Sequence, residues 1–175
     1  MKPTTFIIGG CRSGKSRQAL LLGNSMEGPR KRKLFIATCV PQDTEMHDRV
    51  RRHQQERGPQ WQTLEVPIEL AQAIAQQGAA ANLILVDCLT LWVSNMMLAY
   101  EHESEINSRI DQLCGLLQAP PCPIILVSNE VGAGIVPENH LARRFRDQVG
   151  RINQQVAAAC QSVVWMVAGI AIPIK

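Results

Sequence analysis

Eight residues near the start of the chain constrain its fold more than any other feature. Gly9-Gly10-Cys11-Arg12-Ser13-Gly14-Lys15-Ser16 fits G-x-x-x-x-G-K-[ST] at every fixed position. A short apolar run, Thr5-Phe6-Ile7-Ile8, precedes it, and a helical pattern from Lys15 to Gly23 follows, with Gly23 read as the helix C-cap. Strand, glycine-rich turn, helix is the context in which this pattern has chemical meaning. The glycines let backbone N–H groups turn inward around phosphate oxygens, and the helix N-terminus adds its positive end. Lys15 is then expected to reach β- and γ-phosphates, and the Ser16 hydroxyl to be a Mg²⁺ ligand. An ordinary strand-to-helix turn is the plain alternative.

The rest of the chain alternates in the same way. Apolar strands are read at Lys33–Thr38, Leu83–Val86 and Ile124–Val127, with a shorter one at Trp61–Val66. Helical patterns are read at Thr44–Arg57, Ile68–Gln77, Leu89–Tyr100, Glu103–Leu117 and Glu138–Cys160. Continuously apolar strands alternating with helices predict a parallel sheet covered on both faces. Ser162–Val167 and Ile170–Lys175 are joined by too few residues for a crossover, so they must run antiparallel. In such sheets ligands bind beyond the carboxyl ends of the strands.

With 175 residues the chain suits one domain, 1–175. It is 46% hydrophobic and 19% charged, which suits a packed core and not a disordered chain. A net charge of +3 is compatible with an anionic ligand but too small to argue for nucleic acid. The longest apolar candidate, Val163–Ile174, is broken by Gly169 and Pro173 and falls short of the roughly 18 residues of a membrane span. Lys2-Pro3-Thr4 runs straight into the first strand, which predicts no secretory leader. Six scattered cysteines without a C-x-x-C pair predict a reduced, cytoplasmic protein. The basic stretch Gly28–Lys33 reads as a solvated connection before a strand.

Three further residues stand where chemistry is expected. Asp87, after Leu83–Val86, is a candidate to hold Mg²⁺ or to cap the helix that follows. Glu130, after Ser128-Asn129, is a candidate for metal or base work, or a plain loop carboxylate. His53 shares a helical stripe with Met46, Val50 and Arg57. Arg49 and Arg57, four residues to either side, favour a neutral imidazole, as a nucleophile attacking phosphorus requires. A structural or solvent-facing histidine fits the same pattern, and His47, His102 and His140 read as surface residues. The guanine-reading N-K-x-D of GTPases is absent. A small kinase or nucleotidyltransferase remains, with a single-step metabolite kinase and a nucleotide-sensing module as rival readings.

Four segments together carry a resemblance. They are Gly9 to Arg17; Ile36-Ala37-Thr38 with Asp43-Thr44-Glu45-Met46 and Arg49-Val50-Arg51-Arg52-His53; Leu85 to Trp92 with Ser94-Asn95; and Val127 to Asn139, continued by Phe145-Arg146-Asp147 and Gly150-Arg151. In this order they resemble the bifunctional adenosylcobinamide kinase / adenosylcobinamide-phosphate guanylyltransferase family of cobalamin biosynthesis. The resemblance implies a mostly parallel open sheet of P-loop NTPase (RecA-like) type with an antiparallel edge strand at the C-terminus. It also implies phosphorylation of adenosylcobinamide by ATP or GTP, then transfer of GMP from GTP through a guanylylated histidine, which falls on His53. Nucleotide contacts fall on Gly9, Gly10, Cys11, Arg12, Ser13, Gly14, Lys15, Ser16, Thr38, Arg57, Glu65 and Asp87, with Lys15 also catalytic and Ser16 and Asp87 on the metal. A homo-oligomer, a trimer, is implied as well. Cys11 stands where the family commonly has a smaller residue, and Arg52 where some members have another histidine.

Overall fold

The computed structural model describes residues 2–26, 28, 32–40 and 57–175. Seven strands form one sheet: β1 (Thr4–Gly9), β2 (Lys33–Ala37), β3 (Trp61–Glu65), β4 (Leu83–Asp87), β5 (Ile124–Asn129), β6 (Ser162–Val167) and β7 (Ile170–Pro173). Their order across the sheet is β3-β2-β4-β5-β1-β6-β7. Every pairing is parallel except β6 with β7. The expected open α/β sheet with an antiparallel C-terminal edge is thus the observed fold. Five helices have both ends among the described residues: α1 (Lys15–Ser25), α2 (Leu70–Gly78), α3 (Leu89–Ala99), α4 (Glu103–Gln118) and α5 (His140–Ala159).

Alternation along each strand splits the core in two. Phe6, Ile8, Leu34, Ile36, Ile84, Val86, Ile124 and Leu126 face the apolar stripes of α2, α3, α4 and α5. Ile7, Phe35, Leu83, Leu85, Ile125 and Val127 face the other way, toward α1 and Trp61. The α4 stripe, Ile106, Ile110, Leu113 and Leu117, repeats at i, i+4, i+7 and i+11 and is buried throughout. Trp92 is wholly buried, its indole N–H donating to the Ile68 carbonyl at 2.6 Å, so its one polar atom is satisfied.

Gly23 differs from its sequence reading. It is not a C-cap: α1 continues to Ser25, and Gly23 is buried inside it. A Cβ there would lie 2.9 Å from the Trp61 ring, so the residue is small because β3 packs against the helix. The end of α1 is satisfied instead by Lys33, whose Nζ donates to the carbonyls of Gly23 (2.8 Å) and Asn24 (3.1 Å). In the basic connection, Arg32 is likewise engaged, donating to Gln62 and Gln77. The long helix begins at His140, two residues later than read, because Asn139 caps it by accepting the Ala142 N–H at 3.0 Å.

Candidate active site

The loop between β1 and α1 lies at the carboxyl edge of the sheet. Gly14 takes φ 94° and Arg12 φ 55°, both left-handed, and the Ser13 N–H between them donates to the Gly10 carbonyl at 3.3 Å, closing a tight turn. Gly9 is forced for a different reason: a Cβ there would stand 2.3 Å from the carbonyl oxygen of Met166 on β6. From behind, the tight β6–β7 turn closes on the loop, with the Gly169 N–H donating to the Ser13 carbonyl at 3.0 Å. Lys15 folds back over the loop, its Nζ donating to the Gly10 carbonyl at 2.6 Å and the Ser13 hydroxyl at 3.4 Å. Burial pulls the Lys15 ammonium below its ordinary pKa, while the Asp87 carboxylate pushes it back up. Ser16 opens α1, partly exposed, and Cys11 and Arg12 are exposed on the loop crest.

β5 lies between the strand that carries this loop and β4. Asp87 ends β4, level with Ala37 on β2 and Val127 on β5, and Ala37 is level with Glu65 on β3. Asp87, Glu65 and the loop therefore share one edge. Asp87 does not cap α3: the cap position is Cys88, which makes no side-chain cap bond. The Asp87 charge acts on Lys15 across the site. Burial, and secondly the Asp87 charge, push the Cys88 thiol up to about 11, so it stays protonated.

Thr38 has a supporting task. It is wholly buried, its hydroxyl donates to the Cys88 carbonyl (2.7 Å) and accepts the Cys88 N–H (3.0 Å). Asn95 reaches the Thr38 carbonyl at 2.7 Å. The residue locks the end of β2 to the strand end that carries Asp87. Arg57 is also buried, its guanidinium 3.7 Å from the centroid of the Phe35 ring and Nη2 3.2 Å from the Thr63 hydroxyl. It is anchored on β2 and β3. His53 and the expected helix from Thr44 lie outside the described residues, as does His47; His102 and His140 are exposed, as read.

The turn after β5, where the sequence singles out Glu130, is tied to the phosphate loop. The Glu130 N–H donates to the Gly9 carbonyl at 2.9 Å, tying this turn to the first glycine of the loop. The Glu130 carboxylate accepts the Gly132 N–H, and the Arg146 guanidinium donates to the Gly132 carbonyl. Arg143 reaches the carbonyls of Pro137 (3.0 Å) and Glu138 (2.5 Å). Two α5 arginines thus hold the loop between β5 and α5. Oxygen ligands for a hard cation are at hand in Ser16 and Asp87, and among the described residues no cluster of three or more His, Cys, Asp or Glu offers a self-sufficient metal site.

Comparison with known proteins adds an independent line. A model of the cobinamide kinase / cobinamide phosphate guanyltransferase family matches residues 5–174. The chain is 39% identical over 170 residues to the bifunctional adenosylcobalamin biosynthesis protein CobP of Pseudomonas aeruginosa, covering 97% of this chain and 96% of that one. It is 39% identical over 183 residues to CobU of Escherichia coli K12, which carries the same bifunctional description, covering 97% and 98%. Among solved structures, the flagellar accessory protein FlaH of Methanocaldococcus jannaschii superposes with TM-score 0.55 at 11% identity, over 99% of this chain and 78% of that one. The KaiC-like protein PH0186 of Pyrococcus horikoshii superposes with TM-score 0.52 at 13% identity, over 93% and 70%. These two speak to the fold, a P-loop NTPase sheet of RecA-like type. The loop, the carboxylate across from it and near full-length identity converge: this chain is an enzyme that belongs to the cobinamide kinase / cobinamide phosphate guanyltransferase family.

Proposed function

We propose that the chain carries out two successive reactions on one corrinoid. A nucleoside triphosphate, ATP or GTP, phosphorylates the aminopropanol hydroxyl of adenosylcobinamide. GTP then gives its GMP to His53 with release of pyrophosphate, and adenosylcobinamide phosphate takes the GMP, yielding adenosylcobinamide-GDP. The observation that carries this reading is the glycine-rich loop Gly9–Ser16, left-handed at Arg12 and Gly14 and placed between β1 and α1, in a chain whose relatives are bifunctional over nearly the same length.

Each residue has a part. Backbone amides from Gly10 to Ser16 bind phosphate oxygens, and Lys15 swings from the Gly10 carbonyl onto the β/γ oxygens. Ser16 and Asp87 hold Mg²⁺, which supplies charge neutralisation at the phosphates when bound. Exposed Glu65 stands further along the same edge, where ribose and base extend; Arg57 is anchored beneath it, over the Phe35–Thr63 pair two residues short of that edge, and Thr38 keeps the edge in register. His53 attacks the α-phosphorus as neutral imidazole, so adduct formation falls as pH drops through its pKa.

The chain works in the cytoplasm, consistent with six free cysteines and with no described helix long and apolar enough to cross a membrane. It works as a homo-oligomer, a trimer, for which exposed Ile170, Ile172 and Ile174 offer an apolar edge to cover. The deciding experiment is incubation with GTP labelled at the α-phosphate and Mg²⁺. The expected protein adduct is a phosphoramidate, labile to acid and comparatively stable to base. His53→Ala should abolish it and spare the kinase step. An acid-labile adduct persisting in His53→Ala would move the nucleophile elsewhere.

A further inference from the structure

Beside the turn at Glu130, helix α5 and Gly132 enclose an open cleft of about 380 Å³. Its wall is built from Arg146, Asp147, Gly150, Arg151 and Gln154. Positions i, i+4 and i+8 (146, 150, 154) make one ridge, and i+1 and i+5 (147, 151) make the next. The size falls within the range of small-ligand sites. The lining holds two guanidinium groups and one carboxylate; Arg151 also faces Glu103 of α4, Nη1 to Oε2 at 4.0 Å across exposed surface, so Arg146 is the cation of this wall that no carboxylate pairs with among the described residues.

Two features of this wall have no explanation in packing. Arg146 makes a bond to the Gly132 carbonyl through Nη2, while its Nη1 is buried without a hydrogen-bond partner among the described residues. A guanidinium carries five N–H donors, and a buried one left unused is costly. Gly150 stands in the middle of α5, where glycine is a poor helix former. A Cβ added there would meet nothing within 4 Å, and its φ is not left-handed. No neighbour requires it to be small, so what its size preserves is the space above the helix.

The cleft is also correctly placed. Gly132 belongs to the turn whose Glu130 N–H bonds the Gly9 carbonyl, so it adjoins the phosphate loop without being part of it. Group transfer needs donor and acceptor held by separate elements in fixed relation. The nucleotide phosphates occupy the loop in the function proposed above, which leaves the acceptor without a site. Three and four residues beyond Gly132 in the same loop, Ile135 and Val136 are 96% and 65% exposed, apolar side chains with no described cover.

We infer that this cleft is the acceptor subsite and takes the phosphate monoester end of the molecule that receives the nucleotidyl group. Arg146 pairs with its phosphate oxygens, Arg151 turns to them from its exposed pairing with Glu103, Gln154 donates beside them, Gly150 leaves room for the phosphate-bearing arm, and the bulk of the acceptor rests outward over Ile135 and Val136. Asp147, on the same wall, favours a ligand that also carries N–H donors, such as carboxamides. The inference rests on the proposed second reaction, in which a phosphate monoester is the acceptor.

The test uses the full chain and three readouts: KM for cobinamide phosphate in guanylyl transfer, KM for cobinamide in phosphorylation, and affinity for GTP. Arg146→Gln should raise the KM for cobinamide phosphate about tenfold or more, the loss of one charge-assisted hydrogen bond, and that for cobinamide much less. Gly150→Leu, which fills the cleft, should raise both acceptor KM values, and in neither variant should GTP affinity change more than about twofold. Gly150→Ala should raise Tm, showing that the helix tolerates a side chain there, and should raise the acceptor KM values by less than Gly150→Leu does. Should Arg146→Gln fail to fold, Gly150→Leu carries the test. Unchanged acceptor KM values in folded Arg146→Gln and Gly150→Leu would overturn the assignment, as would an equal loss of GTP affinity. Calorimetric titration with cobinamide phosphate separates this from the function it rests on. Binding that Arg146→Gln abolishes supports the cleft even if the wild-type chain transfers no GMP, and absence of binding to wild type overturns it.

Discussion

Between Gly9 and Lys15 the backbone bends by its own conformational freedom, with Gly14 and Arg12 left-handed and no room for any side chain at Gly9. Between Glu130 and Glu138 the bend is imposed by side chains: the Glu130 carboxylate on an amide, Arg146 and Arg143 on carbonyls. The two loops touch through one hydrogen bond, from the Glu130 N–H to the Gly9 carbonyl. One is built into the chain's local geometry. The other is held from a distance by α5 and can be reshaped one contact at a time. The contrast suits the two ligands proposed for them: a triphosphate, common to many proteins, and an acceptor peculiar to a few.

The largest effect should come from within the first loop. Lys15→Ala should lower both reactions by roughly 10²–10³-fold, the scale of losing a preorganised charge at a transition state. Full rates in that variant would sink the assignment of the loop. Gly9→Ala should act on the fold, since its Cβ would meet the Met166 backbone. A cost of about 3 kcal/mol, or roughly 6–12 °C in Tm, is expected from overpacking against an atom that cannot move aside. Asp87→Asn should keep Tm and raise the Mg²⁺ concentration needed for half-maximal rate; unchanged Mg²⁺ dependence would reduce Asp87 to a neighbour of Lys15. In the second loop, Glu130→Gln keeps an acceptor for the Gly132 N–H and should cost only about 0.5–1 kcal/mol in stability. If it costs as much as Gly9→Ala, the two loops are not held differently and the comparison fails. The smallest effect is chemical: brief alkylation should modify exposed Cys11 and spare buried Cys88 and Cys160, whose thiols burial pushes up to about 11 and 12. GTP should protect Cys11, as peptide mass spectrometry would read.

The same contrast explains what the sequence made legible. A backbone-built loop leaves residue types behind, glycines and Lys15-Ser16 at fixed spacing, so the phosphate loop reads directly. The strands were equally open, because Phe6-Ile7-Ile8 or Leu83–Val86, buried on both faces, admit only apolar residues. A side-chain-pinned loop leaves no such trace. Arg146 reaches a carbonyl 14 residues back, and every residue carries a carbonyl, so nothing at Gly132 announces its partner. Gly23 was misread for a related reason. At the end of a helical pattern glycine reads as a cap, while its actual constraint, the Trp61 ring, stands 38 residues further along the chain. Thr38 reads as an edge residue near a ligand, and only the folded structure reveals a hydroxyl committed to both sides of Cys88. His53 rests on sequence alone.

The bond between Gly169 and Ser13 has a consequence in time. The phosphate loop is translated well before the elements that support it: β1 is flanked by β5 and β6, and its loop is backed by the β6–β7 turn. About 150 residues separate the two, and at ~5–20 residues per second a ribosome needs roughly 8–30 s to make them. During that interval the nascent chain carries a phosphate-binding motif without the neighbours that shape it. Nucleotide cannot serve as an early folding template for this protein. It meets a shaped loop only after β5, β6 and the turn to β7 have joined the sheet.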